Sequence, residues 1–361
     1  MPLKYNLIAE TIKQDITKGL YNQTMLLPTE QVLCDKFNVS RQTIRKALSI
    51  LVSDGLIEKR QGSGSHICGV CGESCCVTRK SVAVITSYIS DYIFPSILRE
   101  IENIFSLNNI TPLLFATQNQ VSTERRILEN LLSLDKIDGI LVEGTKTSLP
   151  NPNLDLYKKL INKNIPIVFL HNKYYELSEC LCVVDDNYAG GKMLVEYLYK
   201  NGHKKIAGIF KSDDIQGHER YSGYVETLRD LNLPFSDEQV FWYNTEFKNK
   251  FIDDNTGIDL ILNTIKNCSA VICYNDEIAG KIINNASRIG IKIPNDLSVV
   301  SFDNSQYSEL SIPRITSLSH GIHNIGRMSA KLIVKILKGE KCDNEVADWI
   351  LVEKESSKLN Y

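Results

Sequence analysis

From Lys80 to near the end of the chain, short β-rich apolar runs alternate with stretches of amphipathic helical pattern, and this alternation constrains the fold most. The runs are SVAVIT, TPLLFAT, DGILVE, PIVFLH, CVVDD, KIAGIF, AVICYN, LSVVSFD and ITSLSH. Helices are expected between them, among them Pro95–Leu107, Glu124–Leu134, Ala189–Asn201 and Asp276–Ile289. The runs are apolar almost throughout, so the strands must be covered on both faces, which means a parallel, doubly wound α/β sheet. Nine strands are more than one such sheet comfortably holds. Two lobes are therefore expected, with a ligand cleft at the C-terminal ends of the strands.

The first 68 residues follow another pattern. A helix from Lys4 to about Lys18 carries Leu7, Ile8, Ile12 and Ile16 at helical spacing and stops at Gly19. LPTEQVLCDKF starts a second helix at Pro28-Thr29, with Val32, Leu33 and Phe37 as its apolar stripe. After the turn Asn38-Val39-Ser40, RQTIRKALSILVSDG reads as a third helix, capped by Ser40, buried through Ile44, Ala47, Leu48 and Leu51, and closed by Gly55. Two short strands, Leu56–Arg60 and about Ser65–Cys68, flank QGSGS, whose glycines suit a tight hairpin turn. The sum is a small α+β winged helix-turn-helix.

Charge divides the chain in the same way. Residues 1–68 hold nine Lys and Arg against six Asp and Glu; the rest holds 32 against 37, although the whole chain is only −2. A basic head on an acidic body fits a nucleic-acid partner for the head alone. There is no apolar run of about 18 residues and no signal-peptide pattern, so the expected location is the cytoplasm, with no membrane partner. There the ten cysteines should be reduced thiols.

The third helix presents Arg41, Gln42, Thr43 and Arg45 near its start, away from the apolar stripe. Arg bonds guanine and Gln bonds adenine bidentately in the major groove, while Ser40 and Thr43 suit phosphate. LPTEQVLCDKFNVSRQTIRKALSILVSDGLIEKRQGSGSHI resembles the gluconate-repressor type of winged helix-turn-helix. That resemblance implies double-stranded operator DNA as partner, contacted by Arg41, Gln42, Thr43 and Arg45. It also implies that the wing tip, Gln61 and Gly62, enters the minor groove, that Lys4 touches a phosphate, and that Glu30 sits near the DNA. Glu30 suits a cytosine amino group and the positive end of its own helix equally.

In the body, strand ends supply polar groups in order: Ser87 to Tyr92, Glu143, His171, Asp185 and Asp186, Asn275 and Asp303, with Arg220 inside the helix QGHERYSGY. Carboxylates, amides and an Arg beside aromatic rings suit a polyhydroxylated ligand, whose hydroxyls both donate and accept. Asp186 and Asn275 serve equally as helix caps, and His171 equally as a satisfied loop residue. No phosphate loop, nucleophile elbow or dinucleotide fingerprint is found, so an enzyme is not expected.

KIDGILVE, VVDDNYAGGKMLVEYLYKNGHKKIAGIF, RYSGY and AVICYNDEIAGKIINNASRIGIKIPNDLSVVSFDNS resemble the ligand domain of the lactose/galactose-repressor family, a two-lobed type I periplasmic-binding-protein fold. The resemblance implies ligand contact by Arg220, Asn275 and Asp303, with His171 at a position that is often polar in that family. A gluconate-type head on such a body, with TSYISDYIFPSILREIE and VEGTKTSLPNPN, resembles the arabinose-operon repressors of low-GC Gram-positive bacteria. That implies L-arabinose as the effector, no cofactor, a homodimer, and Asp91, Tyr92 and Glu143 in the cleft.

These readings divide the chain into a DNA-binding domain 1–68, a linker 69–79 and a sugar-binding and dimerisation domain 80–361. The linker begins within HICGVCGESCC. Cys68, Cys71 and Cys75, with Cys76 or His66, have zinc-like spacing, but structural zinc sites usually pair two such knuckles. No metal is expected; a metal or redox signal through these thiols is the rival to the sugar.

Overall fold

The computed structural model describes residues 4–18, 20–21, 26–54, 56–60, 64–67, 80–252, 257–321 and 324–358. It divides into two compact units, residues 1–78 and 79–361.

The first unit contains α1 (Lys4–Thr17), α2 (Glu30–Phe37), α3 (Arg41–Ser53) and the antiparallel strands β1 (Ile57–Arg60) and β2 (Gly64–Ile67). Ser40 caps α3 and accepts the Thr43 N–H, and Asn38 makes the left-handed turn (φ 49°) that ends α2. Ile44, Ala47, Leu48 and Leu51 are buried as expected. Two residues of the expected stripes are not: Leu7 is 55% and Val32 is 52% exposed. Successive helical residues point about 100° apart, so α1 buries Ile8, Ala9, Ile12 and Ile16 and α2 buries Leu33 and Cys34 instead. Leu26, ahead of α2, bridges to His66 and extends the hairpin. Gly19, Gly55, Gln61 and Gly62 lie outside the described residues, as do Cys68, Cys71, Cys75 and Cys76.

The second unit has two lobes, each built on a six-stranded sheet. The first lobe runs through β3 (Lys80–Thr86), α4 (Phe94–Leu107), β4 (Ile110–Ala116), α5 (Val121–Ser133), β5 (Gly139–Val142), α6 (Leu154–Asn162), β6 (Ile167–His171) and β7 (Leu181–Asp185). The second runs through α7 (Asn187–Lys200), β8 (Ile206–Lys211), α8 (Ile215–Asp230), β9 (Val240–Tyr243), α9 (Thr245–Phe247), α10 (Ile258–Ile265), β10 (Ala270–Cys273), α11 (Asp276–Arg288), β11 (Ser298–Phe302), α12 (Gln306–Leu310) and β12 (Thr316–Ser319). The chain then returns as α13 (Ile325–Leu337) and β13 (Glu345–Ala347) to the first lobe, and ends as β14 (Ile350–Val352) in the second.

Strand order is β13-β7-β6-β5-β3-β4 in one sheet and β14-β12-β11-β10-β8-β9 in the other, parallel throughout except for β14 against β12. All nine expected runs form strands. Each sheet has an apolar layer on both faces, which is why the runs show no alternation. The chain therefore crosses between lobes three times, after Asp185, after Ser319 and after Ala347.

Candidate functional site

Strands of both sheets end at a cavity of about 330 Å³ between the lobes. Arg220 is buried in it at 2% exposure. Its Nε donates to Asn187 Oδ1 (2.9 Å), one terminal nitrogen to the Tyr274 carbonyl, and the other to Asp303 Oδ1 (3.4 Å). The guanidinium also lies 4.2 Å from the centre of the Phe302 ring and 4.8 Å from that of Tyr274. Glycines bring its helix this close. A Cβ on Gly223 would meet the Tyr188 carbonyl oxygen at 2.0 Å, and one on Gly191 would meet the Arg220 carbonyl oxygen at 2.2 Å. Thus α7 and α8 touch backbone to backbone, which gives the glycines of DDNYAGG and RYSGY a structural reason.

Asp303 also accepts from the Tyr92 hydroxyl at 2.6 Å. Tyr92 belongs to the first lobe and Asp303 to the second, so this bond bridges the lobes across the cleft. Tyr92 (φ 55°), His171 (φ 65°) and Asp303 (φ 94°) all line the cavity in the left-handed region. Such strain costs about 1–3 kcal/mol per residue and gathers at functional sites.

His171 is more than a satisfied loop residue. Its Nδ1 pairs with Asp185 Oδ2 at 2.9 Å, while its Nε2 is buried with no hydrogen-bond partner. Burial alone would lower its pKa, but the Asp185 carboxylate, helped by Glu143 and Asp303, raises it to about 9. The ring is therefore protonated at neutral pH, with an N–H on Nε2. Asp185 is held far below the usual carboxylate range by both neighbouring histidines, despite its burial. His320 Nε2 is 2.6 Å from Asp185 Oδ1, and Gln216 donates to Oδ2 at 2.7 Å. The His320 ring stacks on Trp349 at 3.8 Å, and Trp349 donates to the Asp186 carbonyl at 2.9 Å. All three crossings between the lobes meet in this cluster.

Among the other expected contacts, Glu143 lines the cavity and accepts the Ser87 N–H at 2.7 Å through Oε2; burial pushes its pKa up. Asn275 lines the cavity and also caps α11, accepting the Ile278 N–H at 3.0 Å. Asp91 stands exposed at the cavity wall beside the Ser90 hydroxyl (3.2 Å). Asp186 is a cap for α7. Lys211, Asp214 and Gln216 line the cavity without having been expected there, although all three lie within six residues after KIAGIF, at a strand end. Tyr274 and Asn119 are further unexpected lining residues. With His171 protonated, the lining holds four cations (with Lys211, Arg220 and Lys248) and five anions (Asp91, Glu143, Asp214, Glu277 and Asp303). So even a balance suits an uncharged polar ligand better than a phosphate or a sugar acid.

In the first unit, Arg41, Gln42 and Arg45 are exposed on one end of α3, and Lys4 is exposed at the start of α1. Arg45 Nε donates to Glu30 Oε2 at 2.9 Å, and Lys59 stands 3.5 Å from Oε1. The Arg45 hydrogen bond is the main cause of a lowered Glu30 pKa. Arg41 donates twice to Gln31 Oε1, at 3.2 and 2.6 Å. Ser40 and Thr43 share a hydroxyl hydrogen bond of 3.0 Å. Among the described residues no group of three or more His, Cys, Asp and Glu side chains could hold a metal ion, and no helix is long and apolar enough to cross a membrane.

Residues 4–67 match the family described as bacterial regulatory proteins, gntR family, and residues 195–357 match a periplasmic binding protein-like domain. An arabinose metabolism transcriptional repressor of Halalkalibacterium halodurans is 35% identical over 347 residues, covering 95% of this chain and 92% of that one. Its counterpart in Geobacillus stearothermophilus is 31% identical over 340 residues, covering 94% and 93%. The transcription regulator CcpA of Lactococcus lactis shares the fold of the body, with a TM-score of 0.67 at 24% identity over 77% of this chain and 99% of that one. The chain thus belongs to the arabinose metabolism transcriptional repressors, sugar-responsive regulators rather than enzymes, which join a gntR-type head to a two-lobed periplasmic-binding-protein-like body.

Proposed function

We propose that the protein holds its operator as a homodimer and that L-arabinose in the interlobe cleft releases it. In this reading residues 1–68 read DNA, 69–79 link, and 80–361 bind the sugar and dimerise; no cofactor takes part, and the protein works in the cytoplasm. Two heads would read the half-sites of a pseudo-palindromic operator, each through Arg41, Gln42, Thr43 and Arg45 with phosphate contacts from Ser40 and Lys4. The wing tip, Gln61 and Gly62, would enter the minor groove.

The observation that carries the sugar reading is the buried Arg220–Asp303 pair beside aromatic faces, opening on a cavity of nearly balanced charge. Arg220, Asp303 and Asn275 belong to the second lobe, and Tyr92, Glu143 and His171 to the first. A sugar bonded to both sets holds the lobes together, and Asp91 at the wall would guard its entry. Release requires that arabinose bind the DNA-free form more tightly, by about 1–3 kcal/mol of coupling. The relatives' names point to arabinose among the sugars.

The test is a thermal-shift panel of L-arabinose, D-xylose, D-ribose and D-galactose, followed by gel shifts on the DNA flanking the protein's own gene. L-Arabinose should raise the midpoint and release the DNA, and Arg220→Ala should abolish the thermal response. Release by another sugar and not by arabinose, or an undiminished response in Arg220→Ala, would overturn the proposal.

A further inference from the structure

Lys211, the last residue of β8, projects into the cavity with its side chain only 16% exposed. Its Nζ stands 3.8 Å from Asp213 Oδ1 and 3.7 Å from Asp214 Oδ2, beyond hydrogen-bond length, and it makes no hydrogen bond among the described residues. Both carboxylates already accept from neutral donors. Asp213 Oδ2 takes the Thr245 N–H and hydroxyl at 3.0 and 2.7 Å, and Asp214 Oδ2 takes the Tyr274 hydroxyl at 3.0 Å. An enclosed ammonium with three N–H donors and no acceptor is costly unless something else fills the role. It stays charged, since Asp214, Asp213 and Glu143 outweigh the lowering by burial.

Glu143, at the end of a first-lobe strand, is the complementary case. Its Oε2 accepts the Ser87 N–H at 2.7 Å, and the side chain lines the same cavity as Lys211. We propose that Lys211 and Glu143 form a second subsite of the cleft, in which one sugar hydroxyl donates to the Glu143 carboxylate and accepts from Lys211 Nζ. This rests on the reading that the cleft takes a sugar. Only a group that donates and accepts at once serves both charges, and a hydroxyl does so. A phosphate would suit Lys211 but meet repulsion from Glu143 and Asp214. A methylene in the same place would leave Lys211 with only its longer ion pairs to Asp213 and Asp214 and no hydrogen bond, so this subsite makes one hydroxyl of the ligand obligatory. Because the two residues come from different lobes, that hydroxyl also ties the cleft shut.

The competing role for Lys211 is purely structural: neutralising Asp213, whose Oδ1 is buried without a hydrogen-bond partner. Calorimetric titration of the full-length protein with L-arabinose and its 2-, 3- and 4-deoxy analogues separates the two. In the wild type one analogue should bind roughly 100-fold more weakly than arabinose, the loss expected when hydrogen bonds to charged groups are removed. Lys211→Met should lose about as much for arabinose but nothing further for that analogue. Lys211→Arg should recover part of the affinity, and Glu143→Gln should single out the same analogue even if Lys211→Met does not fold. Arabinose binding within about twofold of wild type in folded Lys211→Met, or equal losses for all sugars, would overturn the subsite while leaving the sugar reading intact. A wild type that binds no sugar of the panel would overturn both.

Discussion

Replacing Asp185 by Asn tests the electrostatic core of the site without changing its shape. The Asp185 carboxylate is the largest influence raising His171 from 6.5 to about 9. That difference corresponds to about 3 kcal/mol of preference of the folded site for a protonated ring. Because the folded pKa is the higher one, this stabilisation is complete below about pH 6.5, shrinks as pH rises through about 9, and is gone above it. At pH 7.5 about 2 kcal/mol of it should remain. Asp185→Asn should therefore lower stability at pH 7.5 by about that much, and the gap to wild type should narrow above pH 9. In wild type, arabinose affinity should hold from pH 7 to 8.5 and fall above 9, as Nε2 changes from donor to acceptor. In the variant that fall should already have occurred at neutral pH. Histidines labelled at Cε1 and followed by NMR give the direct reading: one ring should titrate near pH 9, vanish in His171→Asn and shift down in Asp185→Asn. If no ring titrates above about pH 7.5, or if the variant's affinity profile overlays that of wild type, the donor role of His171 is refuted.

Two further outcomes are expected. If Arg45 makes the base contact proposed for it, Arg45→Ala should weaken operator binding by about 1–3 kcal/mol, read by gel shift at fixed salt; unchanged binding would remove α3 from the interface. Gly223→Ala should destabilise the body by about 1–3 kcal/mol or more in denaturant unfolding, because the added methyl meets only backbone, that of Tyr188 and Lys192.

What could be read from the sequence was what is local or periodic. The head is legible because its signals sit within a few residues of the bonds they make: Ser40 caps three residues ahead, and Asn38 turns the chain just before it. The cleft residues at strand ends were legible because a parallel sheet exposes its ligands there. Lys211 was not, since a Lys closing a strand looks like an ordinary solvated end until Asp213, Asp214 and Glu143 are seen around it. The edge strands β9 (VFWY) and β14 (ILV) are wholly apolar but, like β13 (EVA), only three or four residues long, too short to show a period. The Asp185 cluster was the least accessible, because its partners lie 14 residues away at His171 and far beyond at His320 and Trp349. Each of those residues stands at or near a different crossing or strand end, and none has a local pattern that names the others. Their meeting has a functional consequence that reading strand ends one at a time could not reach. The His171 ring, which lines the cavity, is held charged by the same carboxylate that stands 2.6 Å from His320 after the second crossing, and the third packs on His320 through Trp349. Protonation of His171 and the packing of the three crossings therefore share one group, Asp185, which is why Asp185→Asn is the substitution that tests both.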